Sequence, residues 1–150
     1  MEYFLPYGTS QLTFHLPMSL NADWLPPNPT YPPSNPEQII QDALDAPLGK
    51  NKLPRFSEAG SVGIVINDKT RPVPMDNPLP LLLNHLQFHG IQKDRITLFV
   101  GTGTHQMTPE ELPRILSQEV IDQYSVIIHH CDSSAMVDLG NTSLNTPVLV

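Results

Sequence analysis

Three apolar runs after residue 60 predict β-strands. The run "SVGIVIN" at 61–67 is rich in β-branched residues, a pattern typical of a strand buried on both faces of a parallel sheet. Similar runs lie at 94–101, "DRITLFVG", and at 123–130, "QYSVIIHH". The runs recur about every thirty residues, which leaves room for a crossover helix between successive parallel strands.

Helical patterns fill both gaps between these strands. The segment 76–90 begins with a cap and a proline, repeats leucines at helical spacing and ends at a glycine. The segment 108–118 opens with a capping box formed by Thr108 and Glu111. The order strand, helix, strand, helix, strand predicts an α/β fold whose mainly parallel sheet is built from βαβ crossovers.

Prolines dominate a segment before these elements. The chain has 17 prolines, about twice ordinary usage, and many of them fall within 17–36. Fixed φ angles and missing amide donors exclude a helix or a central strand there, so 17–36 is predicted to be a strap or a linker. Trp24 and Tyr31 favour a strap, because spaced aromatic side chains usually pack onto a neighbouring surface.

Two further elements flank this strap. The turn residues "GTS" at 8–10 separate two apolar segments and predict an N-terminal β-hairpin. After the strap, 34–47 predicts a short helix that Ser34 or Asn35 can cap. With 150 residues, 39% of them hydrophobic, the chain is expected to form a single domain over 1–150.

Charge and cysteine content exclude several classes of protein. The 15 acidic and 8 basic residues give a formal charge of −7, and no basic cluster is present, so nucleic acid is not an expected partner. The first twenty residues resemble neither a signal peptide nor a membrane span. A single cysteine excludes an internal disulfide framework, so we expect a cytoplasmic protein without membrane association.

Chemically useful side chains follow each of the three predicted strands. Ligands of open α/β sheets bind beyond the carboxyl ends of the strands, and these three loops would meet at that edge. The residues are Asp68 and Arg71 after the first strand, His105 after the second, and His129, His130, Cys131 and Asp132 after the third.

The first two of these loops each have two interpretations. Arg71 can pair with Asp68 across a surface turn, or it can bind a carboxylate or phosphate while Asp68 orients it or accepts a ligand hydroxyl. The glycines of "GTGTH" at 101–105 either form a structural turn or let the backbone approach an anion near the next helix. His105 is either a solvated loop histidine or a group that exchanges a proton near neutral pH.

The other histidines and the cysteine do not predict a metal site in this chain. Adjacent residues on a strand point to opposite faces, so His129 and His130 cannot both bind one ion unless the strand has ended. His85 and His89 have the spacing of a helical metal pair, but the leucines around them favour a packed or rim position. Cys131 is expected to be a small packing group.

Taken together, the three loops resemble a known family. "DKTRP", "GTGTHQMT" and "HHCDSSAMVDLGNTSLNTPV" are similar, in order and spacing, to the N-terminal part of the lactate racemases, which use a nickel-pincer nucleotide. The resemblance covers essentially the whole chain. It implies an isomerase that racemises or epimerises a small 2-hydroxy acid by proton and hydride transfer.

The resemblance also implies roles for individual residues. His105 would be the proton-exchanging base, Arg71 would hold the substrate carboxylate, and Asp68 and His130 would line the substrate pocket. Because no side chain can store a hydride, a cofactor is required. The residues expected to bind that cofactor or an anion are Thr70, Gly101, Thr102, Gly103 and Thr104.

The chain also departs from the family pattern. The lysine that anchors the cofactor, the histidine that ligates nickel and the second catalytic base would all lie beyond Val150. Gln106 stands where many members have arginine, which puts the substrate in question.

The chain ends in the apolar run "TPVLV", so we expect a piece of a longer protein that is inactive alone, with the missing C-terminal half as its partner. The alternative is a complete module that binds a small anion or carboxylate without catalysis; the choice of hydroxy acid and the oligomeric state stay open.

Overall fold

A computed structural model describes residues 2–20, 22–23, 25, 27–49, 57–71, 73–132 and 136–150. By contacts between residues, the chain forms two compact units, Met1–Pro33 and Ser34–Val150. The single domain expected over 1–150 stays a prediction.

The first unit contains the predicted N-terminal hairpin. Strand β1 (Glu2–Tyr7) pairs antiparallel with β2 (Ser10–His15). Gly8 at the turn has φ +58°, a backbone conformation that glycine adopts without strain. The hairpin prediction is confirmed.

The proline-rich strap contains no helix or strand among its described residues before Pro36. Tyr31 is 84% exposed, so the packing expected of this aromatic is wrong. Its neighbours are prolines, which lack the amide donors that would tie the segment to a sheet. Trp24 lies outside the described residues.

The second unit is built around a three-stranded parallel sheet. Strands β3 (Val62–Asn67), β4 (Ile96–Gly101) and β5 (Ser125–Ile128) lie in the order β3-β4-β5. In the register of the sheet, Asn67 lies opposite Gly101, and β5 ends one position earlier, with Ile128 opposite Val100. The carboxyl ends therefore share one edge, and the predicted α/β fold is confirmed.

Among the described residues, three α-helices accompany the sheet: α1 (Pro36–Asp45), α2 (Pro78–Phe88) and α3 (Gln118–Gln123). Of the two caps proposed for the first helix, Asn35 is the one used, because its Oδ1 accepts from the Gln38 amide at 3.2 Å. No helix in the described part of the chain is long and apolar enough to cross a membrane.

The helix predicted at 108–118 is wrong in type and extent. Its first part is a 3₁₀ helix, Pro109–Arg114, and α3 begins only after Ser117. Pro113 lies inside the 3₁₀ segment. Proline lacks an amide donor and clashes with the carbonyl four residues earlier, which disfavours a continuous α-helix through this segment.

The core lies on one face of the sheet. Side chains from α2, the 3₁₀ helix and α3 pack together with the inward positions of the strands. The buried apolar residues include Ile66, Leu79, Leu83, Leu86, Leu98, Val100, Met107, Leu112 and Val120.

The other face of the sheet remains open in the described part of the chain. Val65 is 75% exposed and Ile127 is 47% exposed. The expectation that the 61–67 strand is buried on both faces is therefore wrong for the residues described here. Right-handed crossovers that step in one direction across a sheet place their connections on the same side, which accounts for a one-sided core.

A second hairpin closes the chain. Strand β6 (Asp138–Asn141) pairs antiparallel with β7 (Pro147–Leu149). The apolar run "TPVLV" thus contains the second strand of this hairpin. Strand β6 was not predicted, because its residues "DLGN" offer little apolar signal.

Candidate functional site

The three loops that the sequence singled out meet at the carboxyl edge of the parallel sheet. Asp68 and Thr70 follow β3, His105 lies in the loop after β4, and His129 follows β5. Direct hydrogen bonds link the first loop to the second and the second to the third. The sheet therefore brings together residues that are far apart in the chain.

Asp68 is the buried centre of this arrangement, with only 3% of its surface exposed. Its Oδ1 accepts from the Thr70 hydroxyl at 2.7 Å and from the Thr70 amide at 3.1 Å. Its Oδ2 lies 3.0 Å from Nδ1 of His105. The hydrogen bond from the Thr70 hydroxyl lowers the pKa of Asp68 most, with help from the Thr70 amide and His105, while burial opposes the shift.

These contacts determine which ring nitrogen of His105 carries the proton. The Thr70 hydroxyl donates to Asp68, so the same oxygen, 3.1 Å from Nδ1 of His105, can only accept from the ring. An ionised Asp68 is also only an acceptor. Nδ1 therefore carries the proton, and Nε2 holds the free lone pair of a base. The side chain of His105 is 52% exposed, so a ligand can reach the ring.

Arg71 does not pair with the carboxylate of Asp68, which was one of the two interpretations of its sequence position. Its amide donates to the carbonyl oxygen of Asp68 at 3.2 Å, which closes a turn. The carboxylate of Asp68 instead binds Thr70 and His105. Arg71 is exposed, close in sequence to these residues. The charged group that is available to bind a ligand in this loop is therefore its guanidinium.

Thr102 connects the loop of His105 to the loop after β5. It is 2% exposed, and its hydroxyl donates to the carbonyl oxygen of His129 at 2.5 Å. The carbonyl oxygen of Thr102 also accepts from the amide of His105 at 3.0 Å. The Thr102 hydroxyl thus has a structural partner, and the ligand-binding role expected of this residue stays a prediction.

His105 and His130 line the same shallow pocket of about 330 Å³. Gln106, Cys131 and Asp132 complete its lining. Strand β5 has ended at Ile128 before the two adjacent histidines. Cys131 is exposed, so its expected role as a packing group is wrong: residues beyond a strand end leave the core.

The glycines of the second loop border a larger cavity of about 720 Å³ beside the open face of the sheet. Gly103 has φ +59°, which favours glycine at this position, and a side chain added there would meet nothing within 4 Å. A Cβ added at Gly101 would lie 3.4 Å from a methyl of Val65. Gly101, Gly103 and Thr104 are all exposed, and the ligand-binding roles expected of them stay predictions.

The histidine pair on α2 is a packing feature. His85 is 7% exposed, and its Nδ1 lies 3.6 Å from Oδ1 of Asp45. Its ring stands edge-on to that of His89, with centroids 4.7 Å apart. Among the described residues, no group of three histidine, cysteine or acidic side chains could hold a metal ion. The packed position predicted for His85 is confirmed.

The sequence analysis missed one contact that joins the first two loops. Nζ of Lys69 lies 2.5 Å from Oε1 of Glu111, and both side chains are largely buried. Glu111 was identified only as a capping residue, and its Oε2 does accept from the Thr108 amide at 3.2 Å. The available signal in the sequence was Lys69 itself, which lies between Asp68 and Thr70. Its partner, Glu111, is 42 residues away in the chain.

Comparison with known proteins agrees with this geometry. Residues 7–150 match a family model described as the lactate racemase N-terminal domain. The chain belongs to the lactate racemase N-terminal domain family. The family suggested by the three loop motifs is therefore confirmed.

Curated relatives and a solved structure carry the same name. The lactate racemase of Lactiplantibacillus plantarum is 32% identical over 108 residues, 69% of this chain and 25% of that protein. The lactate racemase of Thermoanaerobacterium thermosaccharolyticum is 28% identical over 142 residues, 92% of this chain and 33% of that protein. The solved structure of the lactate racemase apoprotein from the same organism matches this chain with a TM-score of 0.75 at 24% identity. The match covers all of this chain and 35% of the chain in that structure, and it supports the fold.

This member of the lactate racemase N-terminal domain family spans about a quarter to a third of the curated relatives it matches. The structural match covers all of this chain, including its parallel sheet and three loops.

Proposed function

We propose that this chain is the part of a lactate-racemase-like enzyme that binds a 2-hydroxy acid and exchanges its hydroxyl proton. The observation that carries this proposal is the contact between Asp68 and His105, which holds the proton on Nδ1 and leaves Nε2 as a base. The base lies at the carboxyl edge of a parallel sheet, where ligands of such folds bind.

His105 would take the hydroxyl proton of the substrate through Nε2 and later return it. Asp68 stabilises the imidazolium that forms, because its carboxylate faces the protonated Nδ1 at 3.0 Å. The lowered pKa of Asp68 keeps that carboxylate ionised at neutral pH. The pair thus performs general base catalysis while Asp68 keeps its charge.

Arg71 would bind the substrate carboxylate. It is exposed, three residues after Asp68 in the same loop, and its planar guanidinium matches a carboxylate with two parallel hydrogen bonds. His130 would line the other side of the pocket that it shares with His105. Such contacts would place the hydroxyl of a 2-hydroxy acid near the base.

The nickel-pincer nucleotide implied by the family is a separate part of the proposal. The described residues contain no group of three side chains that could hold a metal ion, so they do not fit the nickel of that cofactor. We propose that other parts of a longer polypeptide hold it, and that the amides at Gly103 and Thr104 border the bound group. When bound, the cofactor supplies the hydride acceptor that side chains lack.

The 150-residue chain by itself is expected not to racemise lactate, because the hydride acceptor is then missing. It should nevertheless bind the substrate carboxylate. The test is an NMR titration of the chain with D-lactate, L-lactate and inorganic phosphate, following the ring signals of His105. We expect saturable shifts with both enantiomers, because a racemase must accept each of them.

Arg71→Ala should weaken lactate binding by about tenfold or more, since a charge-assisted hydrogen bond contributes roughly 1.5–3 kcal/mol. The matched control is Arg95→Ala. Arg95 is also an exposed arginine but precedes β4, at the opposite edge of the sheet, so its loss should leave the titration unchanged. Shifts with phosphate but not lactate would favour a simple anion-binding module, and a silent His105 would contradict the assigned base.

A further inference from the structure

We infer that Lys69 and Glu111 are positioning residues, whose contact holds the first loop against the second so that Asp68 meets His105. This inference rests on the proposed function, because it concerns the geometry of the same base. Neither side chain takes part in the proton transfer or the carboxylate binding proposed for this site.

The contact between Asp68 and His105 needs such a restraint. The two residues are 37 positions apart and lie in different loops, and the ring of His105 is half exposed. A hydrogen bond between two loops is maintained only if both backbones are fixed, because ordering each loop costs conformational entropy. Without other contacts between the two loops, this hydrogen bond alone would have to offset the entropy cost of ordering them.

The second loop is fixed by its own packing. Met107 follows His105 by two residues and is 1% exposed, within the core cluster. The next residue, Thr108, begins the 3₁₀ helix, and its amide donates to Oε2 of Glu111. The carboxylate of Glu111 is therefore held in place next to the loop that carries His105.

Lys69 connects the first loop to this carboxylate. It stands between Asp68 and Thr70 in the sequence, and its Nζ lies 2.5 Å from Oε1 of Glu111. The side chains of Lys69 and Glu111 are only 28% and 21% exposed, so water screens the pair less than an ordinary surface ion pair. The hydrogen bond from Lys69 lowers the pKa of Glu111 most, followed by that from the Thr108 amide.

Arg114 provides a matched control on the same carboxylate. Its guanidinium also contacts Oε1 of Glu111, at 3.1 Å. Arg114 belongs to the same 3₁₀ helix as Glu111 and is 68% exposed, so its contact connects no second loop. Loss of Arg114 removes a positive charge from Glu111 without releasing residues 68–70.

The test measures which nitrogen of His105 carries the proton in the folded 150-residue chain. Ring ¹⁵N chemical shifts distinguish the two neutral tautomers, and they are recorded at alkaline pH. Asp68→Ala is the reference variant: without the carboxylate, the Thr70 hydroxyl is free to donate to Nδ1, and the Nε2–H tautomer should increase. A role of Lys69 in general stability alone would not change this ratio in a folded protein.

We expect Lys69→Met to shift the tautomers in the same direction as Asp68→Ala and by most of the same amount. Glu111→Gln should do likewise, and glutamine preserves the capping box, so the 3₁₀ helix stays capped. Lys69→Arg, which keeps the charge, and Arg114→Met should retain the wild-type pattern. Amide signals of Leu98 and Met107 report that each variant is folded.

The outcomes that would contradict these expectations can be told apart. If Asp68→Ala shifts the tautomers but Lys69→Met and Glu111→Gln do not, the positioning role is wrong and the proposed base survives. Equal shifts in Lys69→Met and Arg114→Met would also overturn the inference, because any charge near Glu111 would then have the same effect. If Asp68→Ala itself changes nothing, the proton assignment behind the proposed function is wrong.

Discussion

Asp68 shows how a buried carboxylate can be kept ionised and useful at the end of a strand. Two donors from Thr70 satisfy one oxygen, and His105 satisfies the other. A carboxylate without such donors would take up a proton on burial. Here the hydrogen bonds outweigh burial and lower its pKa. The same contacts that stabilise the charge also orient the imidazole.

This lowered pKa predicts a pH-dependent contribution to stability. A carboxyl whose folded pKa lies below its ordinary value of 3.8 stabilises the fold above that value, and the contribution is lost as the pH falls through the folded pKa. Asp68→Asn should therefore lower the free energy of unfolding at neutral pH. The difference from wild type should shrink as the pH falls below about 4. Urea unfolding of both proteins across this range measures it.

Two parallel stability curves, separated equally at acid and neutral pH, would contradict this assignment. Such a result would mean that Asp68 is stabilising through packing alone. Thr70→Val tests the cause, because it removes the hydroxyl that lowers the pKa of Asp68 most and retains the shape of the side chain. We expect the pH dependence to weaken in that variant.

The partner of Asp68 could not be read from the sequence. The motif "DKTR" made Arg71 the natural candidate, because it is charged and three residues away. In the structure, Arg71 contributes only its amide to a turn, and the carboxylate faces His105. Which residues follow a strand is a local property, but the direction of a loop side chain depends on the neighbouring loops.

At the scale of single elements, the end of α2 illustrates how local sequence controls a fold. Gly90 has φ +88°, and its amide donates to the carbonyl oxygen of Gln87. The Ile91 amide donates to the carbonyl oxygen of Leu86, so the helix ends in a Schellman motif. The glycine predicted to end this helix does so because only glycine enters this conformation without strain.

Gly90→Ala should lower the free energy of unfolding by about 1–2 kcal/mol, because an alanine at positive φ is strained. A side chain there would meet no atom within 4 Å, so the expected loss comes from the backbone alone. Gly60→Ala is the control, since that position is equally open and has no positive φ. It should leave stability unchanged or raise it by up to about 1 kcal/mol. Equal losses in urea unfolding would contradict the backbone explanation.

The 3₁₀ helix shows the opposite case, in which local signals were misleading. Its capping box was identified from sequence, yet Pro113 prevents the α-helix that the same signals predicted over 108–118. In the observed 3₁₀ segment, Glu111 lies within reach of Lys69, and the contact joins two loops of the candidate site.

At the scale of the whole molecule, the parallel sheet has one covered face and one face that the described residues leave open. Ile66 and Val65 are adjacent on β3 and point to opposite faces, one 3% and the other 75% exposed. Ile66→Ala should lower the free energy of unfolding by about 2–5 kcal/mol, as usual for a buried aliphatic side chain. Val65→Ala should change it by no more than about 0.5 kcal/mol.

Urea unfolding of these two variants, recorded under identical conditions, distinguishes the faces. Comparable losses in both would mean that the open face is covered in solution, for example by a second copy of the chain. Repeating the measurement at several protein concentrations identifies that case, because association makes apparent stability depend on concentration.

The sequence by itself determined the local elements and the family of this protein. Strand and helix periodicity, the glycine that ends α2 and the three loop motifs are all properties of neighbouring residues, so they can be read without a structure. Only the tertiary structure decided which loop side chains meet and which face of the sheet is covered. The contacts of Asp68 with His105 and of Lys69 with Glu111 each span more than thirty residues. They depend on strand order and on the paths of separate loops, and no local pattern encodes either.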